Sequence, residues 1–186
     1  MNSLFTLIAA AGIAGVGISA FALAQSAPAA PESCLHTQTS FDLLVNASYV
    51  VTAPLFGPNG ERAWAGKHWN PEFIHPQPAS DVEGAVFTIQ HGAHTATWVT
   101  TISDVDGRHF QYVYFLPDLM VAVIDVRFKP VSADATAVNV IYTRTALTAE
   151  GNPHVTAMTE GDKTAGKEWQ EAIDEYLARG KAGVKP

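Results

Sequence analysis

Apolar residues alternate with polar ones in six short segments of the chain, at 40–46, 85–89, 95–102, 110–115, 121–128 and 135–145. A period of two residues is typical of β-strands. Short turn signals separate the last five segments, which predicts that consecutive strands pair antiparallel. Between residues 46 and 85 the pattern is lost. Residues 61–65 can form a helical turn, and Pro71, Pro76 and Pro78 exclude regular helix or sheet around them.

The last segment has the period of a helix. Residues 164–179 place Trp169, Ala172, Ile173, Tyr176 and Leu177 on one stripe, which predicts an amphipathic helix packed on the sheet. The preceding residues 151–166 favour helix less, because they contain three glycines and a proline. Two interpretations are open: this half of the helix is broken or mobile and acts as a lid, or its glycines make room for a cavity. Antiparallel strands around one long helix leave an apolar cleft that suits a small molecule.

Alternation within the strands predicts which side chains face that cleft. In residues 121–128 the even positions are apolar, whereas Asp125 and Arg127 share the other face. In residues 135–145 the more apolar row is Val138, Val140 and Tyr142, and Arg144 continues it. Arg144 therefore either meets the polar group of a ligand or reaches solvent or a carboxylate at the strand end.

Composition and charge limit the number of domains and the kinds of partner that the protein can have. The chain has 186 residues, of which 47% are hydrophobic and 16% charged, which predicts one domain with a proper core. The net charge is -7 and the sequence has no basic run, so nucleic acid and anionic membrane surfaces are excluded as electrostatic partners. A neutral or cationic small partner fits better. No obligatory protein partner is evident.

The N-terminal region predicts export. Residues 1–24 carry no charge and end in Ala22-Leu23-Ala24, as in a signal peptide that would leave Gln25 as the mature N-terminus. The apolar run is also long enough for an uncleaved membrane anchor, which would be the chain's one membrane contact. Residues 25–38 are predicted to be an Ala/Pro-rich linker, and residues 39–181 the domain, in the periplasm or outside the cell. Cys34 is the sole cysteine, so no internal disulfide can form, and an idle or dimer-forming thiol is expected.

Several loose motifs, in a fixed order, resemble those of the START/Bet v 1-like, or SRPBCC, superfamily and most of all its polyketide cyclase/dehydrase-like subset. The likeness extends from about residue 41 to residue 180. Its motifs are Tyr49…Phe56-Gly57-Pro58, Trp69-x-Pro-x-Phe73, Glu83-Gly84-x-Val86-Phe87, Trp98, Tyr112, Thr136-x-Val138-x-Val140-x-Tyr142 and Trp169 in the closing helix.

This resemblance implies an α+β helix-grip fold. A curved antiparallel sheet of six or seven strands would wrap around the long C-terminal helix, and two short helices after the first strand would close one end of a hydrophobic cavity. Members of the superfamily bind lipids, sterols, polyketides and other apolar molecules, and some are enzymes. They share no catalytic signature, so the fold by itself conveys no activity.

The candidate catalytic and metal-binding groups are few. His91 and His94 lie at a strand junction, and the sequence contains no HExxH pattern and no calcium loop, so neither a metal nor another cofactor is predicted. No nucleotide-binding or nucleophile-elbow motif is present. His68 and His75, which flank a Trp-rich loop, and Tyr142 are the candidates for proton transfer.

The resulting hypothesis is an exported binding or carrier protein for a small hydrophobic ligand. Its predicted ligand-binding residues are mostly aromatic, with Tyr112, Tyr142 and Arg144 as polar tips; they are Trp69, Phe73, Phe87, Trp98, Tyr112, Tyr142, Arg144 and Trp169. The alternative is a polyketide cyclase-like enzyme that acts on an aromatic or polyketide-like substrate in the same cavity. A third possibility is a structural or partner-binding envelope protein whose cavity has closed.

Overall fold

The computed structural model describes residues 33–183, with side chains to residue 180. The described chain forms seven strands, three α-helices and two 3-10 turns. The strands are β1 (His36–Val45), β2 (Glu72–His75), β3 (Val86–His91), β4 (His94–Asp104), β5 (His109–Leu116), β6 (Met120–Ser132) and β7 (Ala135–Ala146). The helices are α1 (Tyr49–Thr52), α2 (Pro58–Glu61) and α3 (Asn152–Gly183), and the 3-10 turns are Ala53–Phe56 and Ala149–Gly151.

All seven strands form one antiparallel sheet in the order β1-β7-β6-β5-β4-β3-β2. Strands β3 to β7 pair consecutively through short turns, as the alternation predicts, whereas β1 pairs with β7, with Phe41 opposite Val140. Strands β1 and β2 are therefore the two edges of the sheet. Helices α1 and α2 lie in the connection that carries the chain from one edge to the other, so their placement follows from the strand order.

Strand β2 corrects the prediction that residues near the three prolines form no regular sheet. Glu72 and Phe73 pair with β3, and the register shifts between Phe73 and His75. Proline is tolerated here because β2 is an edge strand and Pro71 and Pro76 lie just outside it, so neither removes a donor from the ladder.

The long helix starts earlier than the sequence predicts. Helix α3 is continuous from Asn152, so the interpretation of residues 151–166 as a broken helix is wrong. A Cβ added at Gly166 would lie 3.2 Å from the Phe41 side chain and 3.3 Å from the Asp42 carbonyl oxygen. Gly166 thus lets α3 approach β1 closely, and this packing compensates for the low helix propensity of the segment.

The predicted inward faces are confirmed. Ala122, Ile124, Val126 and Phe128 of β6 are all buried, as are Val138, Val140 and Arg144 of β7, and Tyr142 is half-buried. These rows form one wall of the core that α3 covers.

The predicted signal peptide or anchor, residues 1–24, lies outside the described residues, as does most of the predicted linker. Residues 36–38, also assigned to the linker, belong to β1, where His36 pairs with Thr145. Cys34 is exposed. Within residues 33–183, no helix is both long enough and apolar enough to cross a membrane.

Candidate functional site

A cavity of about 440 Å³ lies between the inward face of the sheet, the region of α2 and helix α3. Its walls are mostly apolar and aromatic, and it falls in the size range of small-molecule sites. The lining comes from three regions of the chain: the segment from the end of the first 3-10 turn through α2 and the loop after it, strands β3 to β7, and the second half of α3.

Six of the eight predicted ligand-binding residues line this cavity: Trp69, Phe87, Trp98, Tyr112, Tyr142 and Trp169. Phe73 and Arg144 are not among the lining residues. The Phe73 ring stacks on Phe87 at a centroid distance of 5.4 Å and so forms a layer behind the wall.

Arg144 faces inward as predicted, but its partner is a protein carboxylate rather than open cavity. Its Nη1 and Nη2 donate to the two carboxylate oxygens of Asp162 on α3, with Nη2 to Oδ1 at 2.9 Å. Thr39 donates to the same carboxylate, and the guanidinium lies 4.2 Å from the centre of the Tyr142 ring. Arg144 and Asp162 are both buried. The pair joins β7 to α3 and holds one face of Tyr142.

Two aromatic clusters build the walls. In the first, Trp98 stacks on Tyr114 at 4.3 Å and on Phe87 at 5.8 Å, and Trp69 packs edge-on against Trp98 at 5.4 Å. In the second, Trp169 of α3 packs edge-on against Trp64 and Phe41, at 5.3 and 5.2 Å. Aromatic pairs in these geometries add to the energy of burial and fix ring positions.

The polar tips of several lining rings are used inside the protein. Tyr112 donates its hydroxyl hydrogen to the Phe56 carbonyl oxygen at 2.8 Å, and Trp69 donates its indole N–H to the Pro58 carbonyl oxygen at 2.8 Å. Trp64 donates to the Leu55 carbonyl oxygen at 2.7 Å. The Tyr112 bond ties the connection between β1 and β2 to β5, whereas the two Trp bonds are made within that connection. Tyr112 is therefore a structural contact at its hydroxyl, although its ring lines the cavity.

Four polar residues that the sequence analysis did not assign to the ligand site also line the cavity: Glu61, Gln90, His91 and Glu168. His91 follows Phe87 and Ile89 on the inward face of β3, so extending that row by one step would have found it. Glu61 comes three residues before the buried Trp64, a spacing that puts both on one side of a helical turn. A charged residue after a Gly-Pro-Asn-Gly turn is ordinarily solvent-exposed, so the spacing of Glu61 and Trp64 did not lead to a prediction that Glu61 is buried.

Glu61 is the unusual group of the site. Its side chain is buried, with 9% relative exposure, and no residue of the described chain donates a hydrogen bond to its carboxyl. Burial raises the pKa of Glu61 well above its ordinary value of 4.5, and the negative charge of Asp81 adds to the effect. Such a carboxyl keeps its proton to higher pH than an exposed one does, and acid-base sites use this property.

The histidines differ in their surroundings. His91 stacks on Tyr114 at 5.9 Å, and burial lowers its pKa, so its ring is neutral at neutral pH. His68 is exposed and lines the cavity mouth, whereas His75 is exposed on β2 and is not among the lining residues. Burial raises the pKa of the Tyr142 hydroxyl, so the hydroxyl keeps its proton and is a poor acid. Of the three residues predicted to move protons, His68 and Tyr142 thus line the cavity. Within the described residues no cluster of three or more His, Cys, Asp or Glu side chains could hold a metal ion.

Replacement of Glu61 by Gln is expected to change how stability depends on pH. The folded protein keeps the Glu61 proton at pH values where the unfolded chain has released it, so the Glu61 contribution to stability is lost as pH rises above 4.5. Glu61→Gln should therefore gain stability relative to the wild type between acidic and neutral pH, by roughly 1–3 kcal/mol. Urea unfolding at several pH values measures this, and parallel pH profiles for the two proteins would contradict it.

Comparisons with known proteins find solved structures of similar fold. No protein-family model and no curated protein sequence matches the chain. Norcoclaurine synthase from Thalictrum flavum, in complex with dopamine and hydroxybenzaldehyde, is 13% identical over 83% of this chain and 91% of that chain, with a TM-score of 0.56. A point mutant of that enzyme bound to a transition-state analogue is also 13% identical, covering 81% and 99%, with a TM-score of 0.59. Protein XoxI from Bacillus cereus is 14% identical over 73% and 94%, with a TM-score of 0.56.

The chain has the helix-grip fold of these solved structures. The predicted fold, with its antiparallel sheet, long C-terminal helix and short helices after the first strand, is confirmed. At 13–14% identity the likeness is one of fold alone. The site chemistry of this helix-grip domain must be argued from its own residues.

Proposed function

We propose that this protein binds and carries a small, largely apolar molecule in the cavity between the sheet and α3. The observation that carries the proposal is the aromatic-lined cavity of about 440 Å³, in which a few polar groups face mostly apolar walls. The helix-grip neighbours support it, because one of them was solved with two small aromatic molecules. We also propose that the domain acts outside the cytoplasm, on the strength of the uncharged segment at residues 1–24.

An acid-base enzyme is the second candidate, and a polyketide cyclase-like activity is the form that the sequence resemblance favours. Glu61 supports it, since a buried carboxyl with a raised pKa on a cavity wall can exchange a proton with a bound substrate. Native mass spectrometry of the chain isolated from its own cells, followed by solvent extraction, separates the two candidates. A carrier releases its ligand unchanged after incubation, whereas an enzyme converts the ligand.

A cavity-filling substitution tests the proposed site. Ala172 of α3 lines the cavity, so Ala172→Phe should place a ring in it and weaken binding of the neutral fluorescent probe N-phenyl-1-naphthylamine at least about tenfold. Ala178→Phe makes the same change at an exposed position of the same helix and is the matched control. Fluorescence titration gives both affinities. Equal loss in both variants, or no loss in either, would show that the probe binds elsewhere.

A further inference from the structure

We propose that the cavity selects ligands that carry a positive charge, with the Glu61 carboxylate paired to a substituted ammonium group on an otherwise apolar molecule. This inference rests on the proposed function, because it specifies the chemistry of the ligand for the same cavity.

The first support is the unpaired state of Glu61. The Glu61 residue is nine-tenths buried on the cavity wall, and its carboxyl accepts no hydrogen bond from the described residues. A buried polar group without a partner costs free energy, and an ionised one costs more. The other buried carboxylate among the described residues, Asp162, is paired to Arg144 and Thr39. Glu61 lacks an equivalent partner, and a bound cation would supply it.

The second support is the sign of the charges around the cavity. Asp81 lies behind α2, where its two oxygens accept the Asn59 backbone N–H at 2.9 and 3.2 Å, and its charge acts on Glu61. Glu168 adds an exposed carboxylate to the lining. Neither Lys nor Arg is among the residues that line the cavity in the described chain. The fixed charges thus favour a cation and repel an anion.

The histidines and Arg144 do not cancel this field. Burial keeps His91 neutral, and His68 lies exposed at the mouth, away from the buried wall. Arg144 contacts Tyr142 without being among the lining residues, and its charge is balanced by Asp162. The buried part of the site therefore contains an acidic group with no protein cation beside it, and a bound cation would favour its ionised form.

The third support is the aromatic lining beside Glu61. Trp64 and Trp169, with ring centroids 5.3 Å apart, both line the cavity, and Trp64 lies one helical turn after Glu61. The faces of Trp and Tyr rings attract organic cations through their quadrupoles, and aromatic side chains with a carboxylate are a common way to bind substituted ammonium groups. An aromatic wall alone would fit any apolar ligand. Its combination with Glu61 favours a charged one.

Two compounds of nearly identical shape test the charge preference. Phenyltrimethylammonium carries a positive charge at every pH, and tert-butylbenzene replaces its nitrogen by carbon. Each is titrated against the full chain preloaded with N-phenyl-1-naphthylamine, and displacement of the probe gives its affinity. We expect Glu61→Gln to weaken phenyltrimethylammonium binding at least about tenfold, equal to about 1.4 kcal/mol, and to change tert-butylbenzene binding less than about twofold.

Glu171→Gln is the matched control, because it removes one carboxylate from the exposed face of α3 and leaves the cavity unchanged. It should affect neither compound. If Glu61→Gln weakens both compounds equally or neither, or if tert-butylbenzene binds and the cation does not, the charge preference is wrong while the apolar binding site stands. If neither compound nor the probe binds the wild-type protein, the proposed function itself fails.

Discussion

Replacement of Asp162 by Leu should destabilise the domain by about 3–5 kcal/mol, the cost of leaving a buried charge without its partner. Arg144 has 4% relative exposure and Asp162 has 8%, so water cannot take the place of the lost carboxylate. Thr39 would lose its acceptor as well. Urea unfolding followed by circular dichroism measures the change in the free energy of unfolding.

The double variant Arg144→Met with Asp162→Leu sharpens this test. Replacing both members of a buried pair with apolar residues is often neutral or stabilising, so the double variant should recover most of the loss. Glu175→Leu is the control, since its partner Arg179 is exposed and such surface pairs contribute about 0–1 kcal/mol. A double variant as unstable as Asp162→Leu would show that the geometry of the pair, rather than the buried unpaired charge, carries the effect.

This ion pair also shows where inference from sequence stops. Alternation along β7 correctly places Arg144 on the inward face, because side-chain direction in a strand follows from its period. The partner could not be found, since the predicted helix began at Thr164 and excluded Asp162. Helix propensity is a weak guide for a segment that is held by packing against β1. Of the two roles that the sequence left open for Arg144, the structure shows the carboxylate partner, and α3 supplies it as Asp162.

The cavity lining likewise contains residues that could be predicted from the sequence and residues that could not. Six aromatic residues of the wall could be predicted, five of them because large rings in the strands and in the helical stripe have few places other than the interior; the sixth, Trp69, lies in the loop before β2. Glu61 could not, because its burial depends on how the connection from β1 to β2 folds across the end of the sheet. That fold is set by hydrogen bonds between distant parts of the chain, such as Tyr112 to Phe56 and Asn59 to Asp81. The charge of the cavity, and therefore the proposed class of ligand, depends on Glu61 and could not be predicted from the sequence pattern.

The position of Glu61 depends in turn on Gly60. A Cβ at Gly60 would overlap the Pro54 carbonyl oxygen, and it would lie 2.8 Å from the Pro54 carbonyl carbon and 3.1 Å from the Leu55 Cα. These are backbone atoms of the 3-10 turn, which cannot rotate aside as a side chain can. Gly60→Ala should therefore push α2 away from that turn and destabilise the domain by about 1–3 kcal/mol or more.

Because Glu61 is the next residue, the same displacement should weaken binding of phenyltrimethylammonium more than binding of tert-butylbenzene. Gly161→Ala is the matched control, since a Cβ there meets nothing within 4 Å and the substitution should stabilise α3 by about 0.5–1 kcal/mol. Thermal and urea unfolding of the two variants, with the displacement titrations at a temperature where both are folded, give the result. A Gly60→Ala protein as stable as the wild type would mean that α2 tolerates the shift. Unchanged cation binding in that protein would mean that the position of Glu61 does not depend on the contact between α2 and the 3-10 turn.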